Sequence, residues 1–374
     1  MTPKNPFLIT GYHSPEYFCD REPETTSITE ALLNGRNLTL ISPRRMGKTG
    51  LIHHVFNQLQ KKHPDIVVLY MDIFSTQNLG EFVRLFANTV FGKLDSTPQK
   101  TMSRIGKFIK SFRPVMTFDE FTGTPKFTVD IRPESEDASL QEMFAYLQSA
   151  GKRCCIAIDE FQQIAEYPEK GVEALLRSHI QMMQHVNFIF SGSKRHIMQD
   201  MFMSAKRPFY QSAQMFSLDS IDKEKYFRFA ADFFKTQGRE LTKETFLYLY
   251  DEFHGHTWYI QSILNRLYGY SETPDIHMIN HAISEILDES TYIYESLLSA
   301  FTASNIRLLK AIAKENCVKE INSGDFITRN RLKAASSVNT SLKKLIDKEL
   351  IYKTAHGYIV YDRFMAIWLR RQLY

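Results

Sequence analysis

Ile41-Ser-Pro-Arg-Arg-Met-Gly-Lys-Thr-Gly50 follows a short apolar run, Leu38 to Ile41, and opens a helix-like segment from Gly47 to Lys62. It therefore lies at a strand-to-helix turn. Such a turn aims backbone N–H groups and the positive end of a helix dipole at one point, which is what a polyphosphate requires. Gly47 lets the backbone approach a phosphate, Lys48 reaches the β- and γ-phosphates as a point charge, and the Thr49 hydroxyl can hold magnesium. The stretch reads as a phosphate-binding loop comprising Ser42, Pro43, Arg44, Arg45, Met46, Gly47, Lys48, Thr49 and Gly50. It departs from the G-x-x-x-x-G-K-[ST] pattern at its first position, where Ser42 stands for glycine. Taken alone, the plain alternative is a chance Gly-Lys-Thr at a helix start.

A second motif argues against chance. Arg153-Cys-Cys-Ile-Ala-Ile-Asp-Glu160 is an apolar run that ends in two adjacent carboxylates. In a buried parallel strand the first carboxylate emerges at the C-terminal edge of the sheet, beside the phosphate loop. Asp159 can then bind magnesium through water, and Glu160 can orient or deprotonate an attacking water. The plain alternative is a solvated Asp-Glu pair at a strand end, which both motifs in this order disfavour.

Around these motifs the composition is ordinary: 374 residues, 43% hydrophobic and 24% charged. That length implies two or three domains. No run is long and apolar enough to span a bilayer, and Met1 to Asp20 lacks a signal-peptide core, so the expected location is cytoplasmic with no membrane partner. Cys19, Cys154, Cys155 and Cys317 lack metal-ligand spacing and read as reduced structural thiols. His254 and His256 flank Gly255 without a ligand set, which argues against zinc. The formal net charge of +4 is too small to imply nucleic-acid binding by itself.

Aromatic and aliphatic groups in Asn5-Pro-Phe-Leu-Ile9 and Phe18-Cys-Asp-Arg-Glu22 either line a slot for a purine ring or pack as an N-terminal arm. Ile66 to Asp72 is a β-branched run read as the second strand, and Asn78 to Leu94 an amphipathic helix. Thr97 to Ser139 mixes basic residues with Pro114, Pro125 and Pro133, and reads as an exposed insertion with a short strand at Phe127 to Ile131. Beyond it, Leu140 to Ala150 and Gly171 to Gln184 read as helices, and Val186 to Ser191 and Gln214 to Leu218 as strands. Alternating strands and helices predict a parallel α/β sheet.

After Asp219 the periodicity is helical only. Asp222 to Thr236, Thr242 to Phe253, Thr257 to Leu267 and Asp275 to Asp288 each carry an apolar stripe at helical spacing. From Tyr292 onward the chain predicts a helix near Ser304 to Lys314, a short one near Ser323 to Phe326 or Arg329 to Ala334, and another near Val338 to Glu349. A hairpin of Leu350-Ile-Tyr-Lys with Gly357-Tyr-Ile-Val-Tyr361 follows, which suggests a winged helix. Arg329, Arg331 and Lys333 precede a helix bearing Lys343, Lys344 and Lys348, diluted by Asp347 and Glu349. Those cations suit duplex DNA, and a protein partner is the alternative.

The whole chain resembles the archaeal-type ATPases of the AAA+/STAND group. The resemblance rests on Asn5-Pro-Phe, Phe18-Cys-Asp-Arg-Glu, Pro43-Arg-Arg-Met-Gly-Lys-Thr, Ile158-Asp-Glu-Phe-Gln, Phe190-Ser-Gly-Ser, Arg207-Pro-Phe-Tyr, His254-Gly-His-Thr and Tyr361-Asp-Arg-Phe. It implies an α/β fold of P-loop AAA+ type: a five-stranded parallel sheet with helices on both faces, then a helical lid and a winged helix. The expected divisions are residues 1–220, with an insertion near 97–139, then 221–290 and 291–374. The resemblance also implies ATP and magnesium as cofactors and ATP hydrolysis that couples nucleotide state to movement of the lid and winged helix, with a homo-oligomer or another protein as partner. The rival reading is a slow-turnover, nucleotide-gated switch that acts on DNA or a protein through its winged helix. Lys48 would neutralise phosphate charge, Thr49 and Asp159 would hold the metal, and Glu160 would position water. Ser191 or Ser193 would be the polar sensor near the γ-phosphate. Arg207 would read that group within its own chain or from a neighbouring subunit. Gly255 to Thr257 looks like the family's Gly-x-Pro element, which brings the lid to the nucleotide; Thr257 replaces its proline, and Asp20 stands where the N-terminal element usually has glycine.

Overall fold

The structure is a computed structural model that describes residues 3–94, 111–118, 125–131, 136–354 and 356–372. It folds as two compact units, Thr10–Asp222 in one and Met1–Ile9 with Lys223–Tyr374 in the other.

The first unit is built on a parallel sheet. Its strands are β1 (Leu38–Ile41), β2 (Val67–Asp72), β5 (Cys154–Asp159), β6 (Val186–Gly192) and β7 (Gln214–Ser217), in the spatial order β2-β5-β6-β1-β7. Helices cover both faces, so the central strands are apolar on both sides. Alternation along β5 shows how the two cores divide. Cys154, Ile156 and Ile158 face one core, against helices Leu79–Leu94 and Glu136–Ser149, while Cys155 and Ala157 face the other, against Glu22–Leu33 and Lys48–Lys62. Both thiols are buried, and burial pushes that of Cys154 up to about 11. They are packing residues.

The insertion holds more regular structure than its sequence suggests. β3 (Phe112–Phe118) pairs antiparallel with β4 (Pro125–Ile131), with Pro114 opposite Val129. Proline punctuation hides β3 from a periodicity reading. A two-stranded ribbon tolerates it because each strand is an edge and need not donate on its outer side. Residues 95–110, 119–124 and 132–135, including Pro133, lie outside the described residues.

The N-terminal arm belongs to the second unit. Phe7 is fully buried against Phe229, Phe233, Phe234 and Tyr268. The Asn5 amide donates to the Asn265 carbonyl at 2.8 Å, and the Asn265 amide donates back to Phe7 O at 2.8 Å. Of the two readings of this segment, the packed arm is the one that describes Phe7. Helices Lys223–Thr236, Lys243–Glu252 and Thr257–Gly269 follow the sequence expectation closely. The next does not: Ile276–Ser299 runs unbroken past residue 290, because no glycine or proline interrupts it between the Asp275 N-cap and Ala300.

The remaining elements are helices Ala303–Glu315, Gly324–Arg329 and Ala335–Asp347, then the hairpin of β8 (Ile351–Lys353) and β9 (Tyr358–Val360). An unforeseen last helix, Arg363–Arg371, starts at the Asp362 cap, whose carboxylate accepts from Met365 N at 3.1 Å. Trp368 on it is buried and donates its indole N–H to Thr291 Oγ1 at 3.0 Å, an anchoring role. No described helix is long and apolar enough to cross a membrane.

Candidate functional site

β1 is buried at all four residues and delivers the chain to a tight loop. Arg45 (φ +68°) and Gly47 (φ +90°) are both left-handed, the conformation found in the backbone turns that bind anions through their N–H groups. A Cβ on Gly47 would meet nothing within 4 Å, so glycine is required there for conformation and not for space. Ser42, in the pattern's first glycine position, is 1% exposed and turns its hydroxyl onto Pro43 O at 3.1 Å. A small buried residue meets the steric demand of that position.

Lys48 is 6% exposed and lies back on its own loop, donating to Ser42 O at 2.9 Å and Pro43 O at 3.2 Å. Burial pushes its ammonium down to about 8, against the opposing pull of Asp159 and Glu160. This is a buried cation satisfied by carbonyls and available to an anion entering the loop.

The two motifs meet. Thr49 Oγ1 donates to Asp159 Oδ2 at 2.8 Å, and the Tyr70 hydroxyl donates to the same oxygen at 2.8 Å. Asp159 Oδ1 accepts the Glu160 N–H at 3.0 Å. The β2–β5 register puts Asp72 beside Asp159, so strand ends bring a third carboxylate to this edge. A hydroxyl and a carboxylate converging beside an anion loop are the hard oxygen donors that magnesium takes together with substrate phosphates. Among the described residues there is no cluster of three or more His, Cys, Asp or Glu side chains with metal-holding geometry. The Thr49–Asp159 arrangement needs none, since phosphates and water complete such a shell.

Glu160 adopts a left-handed backbone (φ +55°), an uncommon state for a residue with a side chain, which turns it off the strand end. Its Oε2 accepts from Ser193 Oγ at 2.8 Å and from the Gln162 amide. Ser193 in turn accepts from Arg44 Nε at 3.2 Å. A polar chain thus runs from the phosphate loop through the tip of β6 to Glu160. Gly192 leaves the space for it: a Cβ there would lie 2.3 Å from Gln162 Oε1 and 2.6 Å from Met198 Sδ. The two candidate serines separate, since Ser191 is fully buried with no hydrogen-bond partner for its hydroxyl.

Arg207 is engaged elsewhere. It pairs with Glu173 at 2.5 Å and with Asp200 at 3.5 Å, and no hydrogen bond or ion pair joins it to Ser193, Glu160 or the loop. Two contributors escaped the sequence reading. Tyr70 carried a signal, standing two residues before Asp72 and so on the same face of β2. Gln162 carried one too, two residues after Glu160 within Asp-Glu-Phe-Gln. At Asp20 the departure from glycine has a backbone meaning: φ is +56°, a conformation glycine adopts freely and aspartate tolerates. Thr257 is the first residue of its helix, the position where proline is favoured and most residues fit.

Comparison with known proteins gives the fold and the family. No curated protein matches the sequence. A Walker-type ATPase of Pyrococcus abyssi has the same fold over 98% of this chain and 99% of its own, with a TM-score of 0.68 at 17% identity. The ORC2 protein of Aeropyrum pernix in its ADP form covers 99% of each chain with a TM-score of 0.56 at 13% identity. The ORC1 protein of that organism, solved in complex with DNA, covers 99% of this chain and 97% of its own, with a TM-score of 0.52 at 12% identity. Residues 292–371 match a winged helix domain family. The fold is thus the P-loop AAA+ type with a C-terminal winged helix. Residues 18–263, which contain every site residue described above, match the ATPase domain found predominantly in Archaea, and the chain belongs to that family.

Proposed function

We propose that the protein binds ATP with magnesium at the loop Ser42–Gly50 and hydrolyses it. The observation that carries this is the convergence of Lys48, Thr49, Asp159 and Glu160 on one sheet edge beside left-handed loop residues. Loop N–H groups and Lys48 would hold the polyphosphate, and Thr49 with Asp159 would hold the metal, which when bound neutralises charge developing on the transferred phosphoryl group. Glu160 would orient the attacking water and accept its proton. Tyr70 would keep the Asp159 carboxylate aimed at the loop. For the γ-phosphate, Ser193 and Arg44 are the linked pair in this unit, and an Arg207 role requires its release from Glu173. Phosphate release from ATP by the purified protein, with and without magnesium, tests the assignment.

Binding should depend on pH through Lys48. Polyphosphate favours the protonated ammonium, so its binding raises the Lys48 pKa above the free-protein value of about 8. Below about pH 8 the free protein already holds that proton and this group adds no pH dependence. Above it, the proton must be taken up on binding, and affinity for ATP should fall by up to roughly tenfold per pH unit. Titration calorimetry between pH 7 and 10 checks this; affinity constant to pH 10 would contradict it.

A second reading, a slow nucleotide-gated switch, is favoured by one observation: Glu160 Oε2 accepts from two donors, Ser193 and Gln162, which tie the carboxylate to the tip of β6. ATP and ADP differ at the γ-phosphate, so only contacts to that group can favour one arrangement of the chain over another. Losing a charge-assisted hydrogen bond to it costs roughly 1.5 to 3 kcal/mol, enough to move a two-state balance tenfold. The state would be passed to Lys223–Tyr374, acting on duplex DNA, a protein partner or another copy of the chain. Fluorophores on each unit should report different separations with ADP and with a non-hydrolysable ATP analogue. Equal separations would remove the switch.

A further inference from the structure

The winged-helix region carries a concave basic surface that the recognition-helix lysines do not explain. A groove of about 670 Å³ lies between the helix Ala303–Glu315 and the turn Arg329–Arg331. Arg307, Lys310 and Lys314 stand along one side at helical spacing, and Arg331 closes the other. Arg307 also donates to Arg331 O at 3.4 Å, which ties the two walls together. The acid nearest by sequence, Glu315, is consumed by Arg329, which it pairs at 2.9 Å. The groove therefore presents Arg307, Lys310, Lys314 and Arg331 with no carboxylate among the residues that line it.

We infer that this groove binds the sugar–phosphate backbone of duplex DNA. The inference rests on the DNA branch of the switch reading and places the main phosphate contacts on the helix Ala303–Glu315, away from Lys343 and Lys344. Spacing supports a nucleic-acid backbone. From Arg307 to Lys314 the helix rises roughly 10 Å, and one strand of DNA places a phosphate about every 3.4 Å along the axis. Three cations thus face about three successive phosphates. An acidic protein helix would need a large apolar anchor to fill the floor of the groove. The apolar residues that line it are Ala303, Ala311 and a half-buried Ile306, too small to receive one. Lys344 is drawn aside, with its ammonium 5.5 Å from the centre of the Phe301 ring.

The test is fluorescence anisotropy of the full-length protein with a labelled 20-base-pair duplex at several salt concentrations. R307E/K310E/K314E should weaken binding at least about tenfold and make the salt slope shallower by about 2.7, the share of three phosphates. K343A/K344A should change affinity less than threefold. R307A/K310A/K314A, judged folded by its melting curve, repeats the test should the reversed charges unfold the domain. Loss of binding only in K343A/K344A would overturn the groove while leaving DNA binding in place. No binding by the parent at low salt would overturn both, and capture of poly-glutamate by the parent but not by R307E/K310E/K314E would give the groove to an acidic protein instead.

Discussion

Lys48→Ala is expected to weaken ATP binding by about 100-fold or more and to leave the fold intact. A hydrogen bond from a charged donor contributes roughly 1.5 to 3 kcal/mol, and a buried donor such as Lys48 stands at the upper end. The resting contacts show why no neighbour substitutes. Lys48 donates only to carbonyls of its own loop, Ser42 and Pro43, so it can leave them for a phosphate without breaking an ion pair. Arg44, the other loop cation whose contacts lie at this edge, donates its Nε to Ser193 at the tip of β6 and would serve the γ-phosphate from there. Removing Lys48 also removes a buried charge that burial already disfavours, so the melting temperature without nucleotide should not collapse. Equilibrium binding of a fluorescent ATP analogue, with melting curves as the control for folding, decides the matter. Affinity equal to the parent's would show that the loop is not the nucleotide site.

Glu160→Gln should do the opposite: nucleotide binds as before, and turnover falls by about 10²- to 10⁴-fold, the range for loss of a general base. Glutamine keeps the shape and an acceptor oxygen, so Ser193 and Gln162 retain a partner and the left-handed turn after β5 is undisturbed. What is lost is the capacity to accept a proton. The split separates this role from Asp159, because weakening the metal site would impair nucleotide binding as well as hydrolysis. Single-turnover hydrolysis with labelled ATP measures the chemical step directly. A rate within threefold of the parent would move the base to another residue, with Asp72, which shares this sheet edge, as the next to examine.

Much of this was legible along the chain, for a physical reason. A phosphate loop is local: β1, the turn and the helix Lys48–Lys62 are contiguous, so a glycine at positive φ, a lysine and a threonine can be read in order. β5 is equally plain, because a strand buried on both faces must be apolar until it leaves the sheet, and Asp159 and Glu160 mark where it does. The helical stripes and the final hairpin follow from periodicity in the same way.

Tertiary structure decided what depends on residues far apart in sequence. Tyr70 on Asp159 spans 89 positions, Arg44 on Ser193 spans 149, and no local pattern encodes either. Ser191 and Ser193 differ by two residues and look alike in sequence, yet one is sealed in the sheet and the other reaches Glu160, because only the latter has passed the strand's end. Arg207, expected to read the γ-phosphate within its own chain or from a neighbouring subunit, pairs with Glu173, a partner no local pattern announces. Phe7 precedes the loop in sequence but packs among four aromatic rings of the second unit, since burying a phenyl ring outweighs proximity along the chain. Sequence order thus determined which chemistry the chain carries, and packing between distant segments determined which of its like residues take part.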